Sequence, residues 1–359
     1  MLTRRPNLLT KLCYQSRLFT SKVTRTQLEN GQNTSIHIQS PSSKTDISFS
    51  TDWIDHTVYT YPEGSGVEIT TEKTEDSYPE ERIVATSDTT LEAQIPQDTS
   101  RFTIKTLGNL KGTCGMDKKF IVHKKIDIEA VNVHLSKART NQFHCTSDSL
   151  TVNSSLEANN LYITNKKNLK IDKKLGVPTY GEIQSKGDIT IEAIYGPTHY
   201  IGDVDEQIQE STSNKSKTAE EIKDKSLNIK NEGVNKIYIG NSHGNLHISC
   251  PSSTLELNEV SNIGLYVDSK SISGIFKKVG NFAYLKASDK IELTLDSNLL
   301  GSDIILVNQS TNLKKKGRSL QGSIFIDIQE ESQLSIEYLS SFEILKKKIE
   351  SNIARRNAE

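Results

Sequence analysis

Apolar and polar residues alternate along most of this chain with a period of two. The longest such stretch is Ile-Asp-Ile-Glu-Ala-Val-Asn-Val-His-Leu at residues 126–135. Successive side chains of a β-strand point to opposite sides of the sheet, so this alternation places the aliphatic side chains on one face. From about Thr34 onward, the pattern predicts short strands separated by turns. Shorter examples are Leu150-Thr151-Val152, Leu161-Tyr162-Ile163, Leu169-Lys170-Ile171, Ile189-Thr190-Ile191, Ile237-Tyr238-Ile239, Leu246-His247-Ile248 and Ile291-Glu292-Leu293.

The spacing of these strands predicts how they pair. Leu150, Leu169 and Ile189 lie 19 and 20 residues apart. A repeat of this length is typical of a solenoid, in which each circuit stacks on the one before it. Antiparallel hairpins would need two-residue turns between facing strands, and such turns are mostly absent from the sequence. A β-sandwich is the alternative fold, since short strands every ~8–12 residues suit it as well.

Several strands open with the same short sequence, which is a glycine, then Asp, Asn or Ser, then apolar-x-apolar. Glycine adopts positive φ at a tight corner, and the polar residue can hydrogen-bond the turning backbone. We therefore expect a corner of the solenoid at each of these sites. The clearest examples begin at Gly187, Gly244, Gly280 and Gly322.

The predicted fold class is all-β, a single-stranded parallel β-helix (β-solenoid) over residues 108–328. A less regular β segment over residues 34–107 should lead into the stack and cover its first coil. Residues 203–228 are charged, rich in Ser and Thr, and almost free of large apolar groups, so we expect a flexible insertion there. A solenoid needs a cap on its last coil, and an amphipathic helix over residues 340–356 can supply it. The apolar stripe of that helix would consist of Phe342, Leu345, Ile349 and Ile353.

Residues 1–28 have the composition of a mitochondrial presequence. They are basic, amphipathic and free of acids, since Glu29 is the first acidic residue. The run Arg17-Leu18-Phe19-Thr20-Ser21 resembles a matrix-processing site, so we expect the mature chain to begin near Thr20. A secretory signal would need an uninterrupted apolar run of ~7–15 residues, which this segment lacks. A disordered basic tail is the other alternative.

Composition narrows the possible partners. The apolar fraction is 34%, which suits stacked coils with a narrow core better than a compact globule. With 44 basic and 45 acidic residues the net charge is -1, so a nucleic-acid partner is not expected. No run approaches the ~18 apolar residues of a transmembrane segment. The four cysteines are scattered, which argues against a disulfide framework and for a reducing compartment.

Two arrangements could carry chemistry through cysteine or histidine. His243, His247 and Cys250 are the best metal candidate, but His247 should point outward from its strand while Cys250 has inward parity. Surface histidines with a buried thiol are therefore favoured over a zinc site. Cys114 could act as a nucleophile, yet no adjacent base is identifiable, so a small buried residue at a turn is expected.

Catalysis by carboxylates is also not expected. Parallel β-helices include carbohydrate-cleaving enzymes, whose sites need clustered acids. Here the outward acids occur singly among Lys, Thr and Ser. They are Asp127, Glu129, Glu192, Glu292 and Asp296. No glycine-rich phosphate loop opens a helix, so no nucleotide cofactor is predicted. The N-glycosylation sequons would stay unmodified in mitochondria; they lie at Asn33, Asn153, Asn214 and Asn308.

The strand pattern between about residues 91 and 308 resembles the adhesin-like domain family of unknown function. The similar segments are Leu91-Glu92-Ala93-Gln94-Ile95-Pro96, Leu107-Gly108-Asn109-Leu110-Lys111-Gly112, Gly187-Asp188-Ile189-Thr190-Ile191 and Ile239-Gly240-Asn241-Ser242-His243-Gly244-Asn245-Leu246. The stretch from Ile237 to Leu295 is most similar to the eukaryotic branch, whose members tend to carry mitochondrial presequences. The resemblance implies a single-chain parallel β-helix with no assigned activity.

These observations together predict a non-catalytic mitochondrial β-solenoid, most suited to the matrix, that serves as a scaffold or protein-binding module. A protein partner is expected, with no cofactor, no metal and no catalytic residues. The oligomeric state is left open. The alternative function is an extracellular adhesin or glycan-binding β-helix, and a polysaccharide-acting enzyme ranks behind it.

Overall fold

The computed structural model of the chain describes residues 25–27, 35–41, 43, 46–53, 57–59, 67–72, 80–85, 90–96, 101–114, 123–198, 226–299, 304–306, 322–329, 332–346 and 350. Nearly all of these residues lie in strands. In chain order the strands are β1 (Arg25–Gln27), β2 (Ser35–Ser40), β3 (Asp46–Trp53), β4 (Thr57–Tyr59), β5 (Val67–Glu72), β6 (Glu80–Ala85), β7 (Thr90–Pro96), β8 (Arg101–Thr106), β9 (Asn109–Thr113), β10 (His123–Leu135), β11 (Ala138–Val152), β12 (Ser155–Asn165), β13 (Leu169–Ile171), β14 (Lys174–Gly176), β15 (Tyr180–Ser185), β16 (Ile189–Tyr195), β17 (Leu227–Asn231), β18 (Lys236–Asp296), β19 (Ile304–Leu306), β20 (Ser323–Ile328) and β21 (Gln333–Leu339).

The strands pair in parallel with the strand one circuit away, as a solenoid requires. Leu150 pairs with Leu169, and Leu169 pairs with Ile189. The predicted repeat of 19 and 20 residues is therefore the length of one coil. Within the described residues, antiparallel pairing is confined to β1 with β4 and to β5 with β6. The all-β parallel solenoid is confirmed, and the sandwich alternative is wrong.

Each coil has three sides, because the chain turns at three corners in every circuit. The first face contains residues 101–106, 126–130, 143–147, 161–165, 181–185, 227–231 and 246–249. The second face contains residues 109–112, 132–135, 149–152, 169–171, 189–191 and 237–239, and later 290–296 and β21. The third face contains residues 138–140, 155–157, 174–176 and 194–195.

The core is a set of aliphatic columns that run along the solenoid axis. On the first face, Ile104, Ile128, Cys145, Ile163, Ile183, Ile229 and Ile248 stack in successive register, and none is more than 3% exposed. Burying one isoleucine side chain contributes roughly 1.5–3 kcal/mol. Each coil therefore gains stability mainly from the coil next to it, as in other one-dimensional stacks.

Buried polar side chains mark the corner between the first and second faces. Ser147 pairs with Asn165, Asn165 with Ser185, and Ser185 with Asn231, and all four are no more than 3% exposed. The amide of Asn165 donates to the carbonyl of Asn168 at 2.8 Å. Backbone groups at the corner have no partner in the sheet, and buried backbone groups need hydrogen bonds. The polar side chains supply those hydrogen bonds.

At most of the predicted corners, crowding by the neighbouring coil explains the glycine better than backbone conformation does. Gly244 has φ of 81°, as the corner motif predicts. The other predicted corner glycines, Gly187, Gly280 and Gly322, do not have positive φ. A Cβ at Gly187 would instead meet the backbone carbonyl of Lys167 on the preceding coil. At that corner a glycine is needed because two backbones approach closely.

The coils at both ends are out of chain order. β2 lies between β6 and β8, and β3 lies between β7 and β9, so residues 35–53 form a coil inside the stack. At the other end, β20 lies between β18 and β19. The predicted N-terminal segment is thus in register with the solenoid. The predicted boundary at residue 108 falls within a single coil, that of residues 101–113.

Two predicted segments overlap strands of the structure. Ser226, Leu227 and Asn228 fall in the predicted insertion, yet all three are fully buried and β17 begins at Leu227. Residues 199–225 lie outside the described residues. β1 falls at the end of the predicted presequence, and processing near Thr20 stays a prediction. Residues 1–24 lie outside the described residues.

The C-terminal helix covers residues 341–346, with residue 350 also helical. It begins with a capping box, in which the hydroxyl and the backbone N–H of Ser340 donate to Glu343 Oε2 at 2.7 and 2.8 Å. These hydrogen bonds lower the pKa of Glu343. The predicted stripe is wrong, because Phe342 and Leu345 are 76% and 54% exposed while Ile344 is 1% exposed. Ile349 and Ile353 lie outside the described residues.

Asp296 joins this helix to the solenoid and is not the solvated outward acid that strand alternation predicts. It is 3% exposed, although its parity is outward. Its carboxylate accepts hydrogen bonds from the Ser341 hydroxyl and from the Asn298 backbone, both at 2.9 Å. Strand alternation predicts which side of the sheet a residue faces, but not what the following helix places over that side.

Candidate binding surfaces

The three members of the predicted metal group lie in different environments. His243 stacks on Tyr195 with ring centroids 4.9 Å apart. His247 stacks on Tyr266 of the next coil at 4.7 Å. Cys250 is fully buried, as its inward parity predicts. Among the residues that the structure describes, no group of three metal-ligating side chains is found.

The cysteines of the described residues are free and buried. Burial raises the pKa of the Cys145 thiol to about 12 and of the Cys250 thiol to about 11. Thiolate is the nucleophilic form of cysteine, so both groups are unreactive near neutral pH. Cys114 is also fully buried at the end of β9, as expected for a turn residue.

The outward acids contact basic side chains. Asp127 lies 2.8 Å from the Lys125 ammonium, and Glu129 lies 3.2 Å from that of Lys105. On the second face, Glu292 lies 2.6 Å from Lys290. Such pairs on an exposed strand contribute little stability, but they cover the sheet with alternating charges.

The first face carries a cluster of rings that we call the N-terminal ring cluster, namely His144, Tyr162 and Tyr180. The ring centroids of His144 and Tyr162 are 4.7 Å apart in an edge-to-face arrangement, and those of Tyr162 and Tyr180 are 5.7 Å apart. Tyr162 is 40% exposed. The cluster is therefore a rigid aromatic platform that is open to solvent.

Ion pairs surround this cluster. Asp127 Oδ1 lies 3.3 Å from Nδ1 of His144, and Lys230 lies 2.6 Å from Glu182, the residue that stacks beside Tyr162. Burial is the largest influence on His144 and lowers its pKa, against the opposing effect of Asp127. The contact between His144 and Asp127 is an ion pair only when the imidazole is protonated.

A second group of rings lies further along the same face and is more enclosed. His247, Tyr266 and Tyr284 form a continuous stack, with centroids 4.7 and 5.2 Å apart. Tyr284 donates to Asp327 at 2.8 Å, and burial together with that bond raises the pKa of Tyr284. This stack ties four coils together and offers less free surface than the N-terminal ring cluster.

The ring clusters are the main feature that strand alternation does not reveal. The signal is present in the sequence, since His144, Tyr162 and Tyr180 are spaced by 18 residues, close to one coil. Side chains separated by one coil are direct neighbours in a parallel stack. Searching for rings at the coil spacing would have found both groups.

The second face carries a shallow hollow of about 830 Å³ with a mixed polar and apolar lining, and a smaller one of about 400 Å³ lies beside it. Hydroxyl groups of Thr190, Thr254 and Ser273 line the larger hollow together with Lys170 and Glu256. Outward side chains of several successive coils thus form one polar surface. Of the sequons, Asn153 is exposed and contacts His134 at 2.8 Å, whereas Asn33, Asn214 and Asn308 lie outside the described residues.

Comparison of the chain with protein-family models, with curated proteins and with solved structures finds no match. The resemblance to the adhesin-like domain family therefore stays a prediction. None of the described helices has the length and apolar character needed to cross a membrane.

Proposed function

We propose that this chain is a non-catalytic mitochondrial scaffold that binds another protein through the N-terminal ring cluster. The observation that carries the proposal is the half-exposed Tyr162, held between His144 and Tyr180. Tyrosine dominates the energetics of many protein interfaces because it buries a large rigid surface at low entropic cost. The ion pairs around the cluster resemble the polar rim that surrounds such an anchor.

The mitochondrial part of the proposal rests on residues 1–28. Their positive charge, without any acid before Glu29, suits import driven by the membrane potential. Import of the full chain into isolated mitochondria tests it. Cleavage near Thr20 that is abolished by an uncoupler supports the address, and potential-independent association without cleavage contradicts it.

The binding part is tested by a photo-crosslinking phenylalanine analogue at Tyr162 in intact mitochondria. A discrete adduct is expected from this position. The matched control places the same analogue at Val234, which is 85% exposed at a corner away from the rings. An adduct from position 162 that is absent at 234, and that Tyr180→Ala reduces, supports the proposal. Equal labelling from both positions contradicts it.

A further inference from the structure

We propose that the second face packs against the second face of another copy of this chain, in a two-fold symmetric dimer whose solenoids run in opposite directions. The surface lies on a different side of the coil from the N-terminal ring cluster. The inference therefore does not depend on the function proposed above.

One row of outward side chains runs along the middle of the second face. We call this row the central row. Its first half contains Lys111, His134, Thr151 and Lys170, which follow one another in register on successive coils. Thr190 and Tyr238 come next. Glu256, Ser273 and Glu292 continue the row, since they line the same hollow as Lys170, Thr190 and Tyr238.

Charge divides this row into two halves. Lys111 and Lys170 are exposed on one side of the midpoint, and Glu256 and Glu292 are exposed on the other. The separation is not a consequence of the overall charge, which is -1. A row with one basic end and one acidic end is complementary to itself when the second copy is reversed.

The axis brings opposite charges together next to the midpoint. A two-fold axis parallel to the strands, between Thr190 and Tyr238, would place Lys170 of each copy opposite Glu256 of the other. His134 would lie opposite Glu292, and Lys111 opposite Ser335, the residue that follows Glu292 on the next coil. The positions between these pairs match Thr151 with Ser273, which puts two small hydroxyl groups together.

The neighbouring outward row agrees with the same axis. Asp188 and Lys236 lie two residues before Thr190 and Tyr238 and on the same two coils. The proposed axis places Asp188 of one copy opposite Lys236 of the other. Within one copy the Asp188 carboxylate already accepts a hydrogen bond from the Lys236 backbone N–H at 2.9 Å, so the contact across the axis would be made by the Lys236 ammonium.

The other symmetric arrangement is unfavourable. An axis parallel to the solenoid would place Lys170 opposite Lys170 and Glu256 opposite Glu256. Like charges placed opposite each other at an interface cost free energy and exclude that geometry. The charge pattern therefore specifies a direction as well as a surface.

The available area is sufficient for a stable dimer. Ten coils at about 4.8 Å give a face about 48 Å long, and about 15 Å of strand width gives roughly 700 Å² per copy. The long side chains of the basic half can enter the hollow of about 830 Å³ in the opposite copy. Lys170 and Glu292 also have partners on their own strands, Asp172 at 3.3 Å and Lys290 at 2.6 Å, so the association should be moderate in strength.

Charge reversal and charge exchange test the proposal by sedimentation velocity at micromolar concentration. Glu256→Lys alone should weaken the dimer at least about tenfold, because an attractive pair becomes repulsive at two symmetric places. Lys170→Glu alone should do the same. The double variant Lys170→Glu/Glu256→Lys restores opposite charges across the axis, so its dissociation constant should return to within about threefold of the unaltered protein.

Glu129→Lys is the matched control, since it reverses an exposed strand acid on the first face and should leave the dimer unchanged. The melting temperature of each variant separates loss of pairing from loss of folding.

Chemical cross-linking gives a second readout that does not depend on charge. Thr151→Cys/Ser273→Cys places the two thiols about 24 Å apart within one copy, since five coils separate them, but opposite each other across the proposed axis. Sheets packed face to face lie about 10 Å apart, which is beyond the reach of a direct disulfide, so the reagent is a bismaleimide with a spacer of about 8 Å. A covalent dimer should form with this reagent, and Thr151→Cys alone should give none. A monomer at all concentrations, a double charge variant that fails to recover, or equal cross-linking by the single cysteine would each overturn the proposal.

Discussion

At the scale of single residues, the inward or outward parity of a side chain was predictable wherever a neighbouring coil lies on both sides. Cys250 is buried and His247 lies on the outer side because alternation holds in the middle of the stack. Asp296 departs from it because Ser341, from a helix 45 residues further along, covers the outer side. A pattern of period two contains no information on such distant contacts.

The buried thiols predict a loss of stability at alkaline pH. The pKa of Cys145 is raised by burial from an ordinary value of 9.0 to about 12, so the folded state disfavours the thiolate. The contribution of the protonated Cys145 thiol to the free energy of unfolding is complete below pH 9.0 and is lost progressively as the pH rises toward 12. Urea unfolding should therefore show a lower midpoint at pH 10 than at pH 8.

Cys145→Ala should reduce that pH dependence, at the cost of a small cavity. Tyrosines with raised pKa, such as Tyr284, add to the same trend and persist in the variant. An unfolding midpoint that is equally pH-dependent with and without Cys145 would show that this thiol does not titrate on unfolding.

At the scale of elements, corners and caps were less predictable than strands. Corner positions were located from glycine motifs, but the role of the buried polar side chains was not. Asn231 shows why, since its side chain donates to Gly187 of the preceding coil at 2.7 Å and accepts from the Gly233 backbone at 3.1 Å. One of these partners is 44 residues away, and only the three-dimensional stack brings it close.

Asn231→Ala should destabilise the protein by about 2–3 kcal/mol, because it leaves several buried groups without partners. Its amide oxygen also accepts from Ser253 at 3.0 Å and from Asn235 at 2.8 Å. Asn159→Ala is the matched control, since Asn159 is exposed, and its effect should stay below about 0.5 kcal/mol. Chemical denaturation measures both, and equal losses would argue against the corner role.

If the C-terminal helix caps the solenoid, alanine substitutions at two of its adjacent residues should have different effects on the free energy of unfolding. Ile344→Ala should cost about 2–4 kcal/mol because Ile344 is 1% exposed, whereas Leu345→Ala should change the free energy of unfolding by less than about 0.5 kcal/mol. The stripe inferred from sequence gives the opposite order. Thermal unfolding of the two variants distinguishes the two.

At the scale of the whole molecule, the coil length and the parallel pairing follow from the sequence, whereas the order of the terminal coils does not. The segments at residues 80–96 and 101–113 are spaced like consecutive coils, yet residues 35–53 lie between them. Both orders bury the same aliphatic faces, so periodicity alone does not choose between them. The polarity of the second face likewise became visible only when the coils were aligned.

The central claim is that neighbouring coils stack in parallel along one axis, and distances between spin labels on the first face test it most directly. Lys105 lies four coils from Gln184 and six coils from Ser249 along one outward row. Labels at Lys105 and Gln184 should be about 19 Å apart, and labels at Lys105 and Ser249 about 29 Å apart, when the protein is diluted with unlabelled chains. A second distance equal to or shorter than the first would contradict the parallel stack.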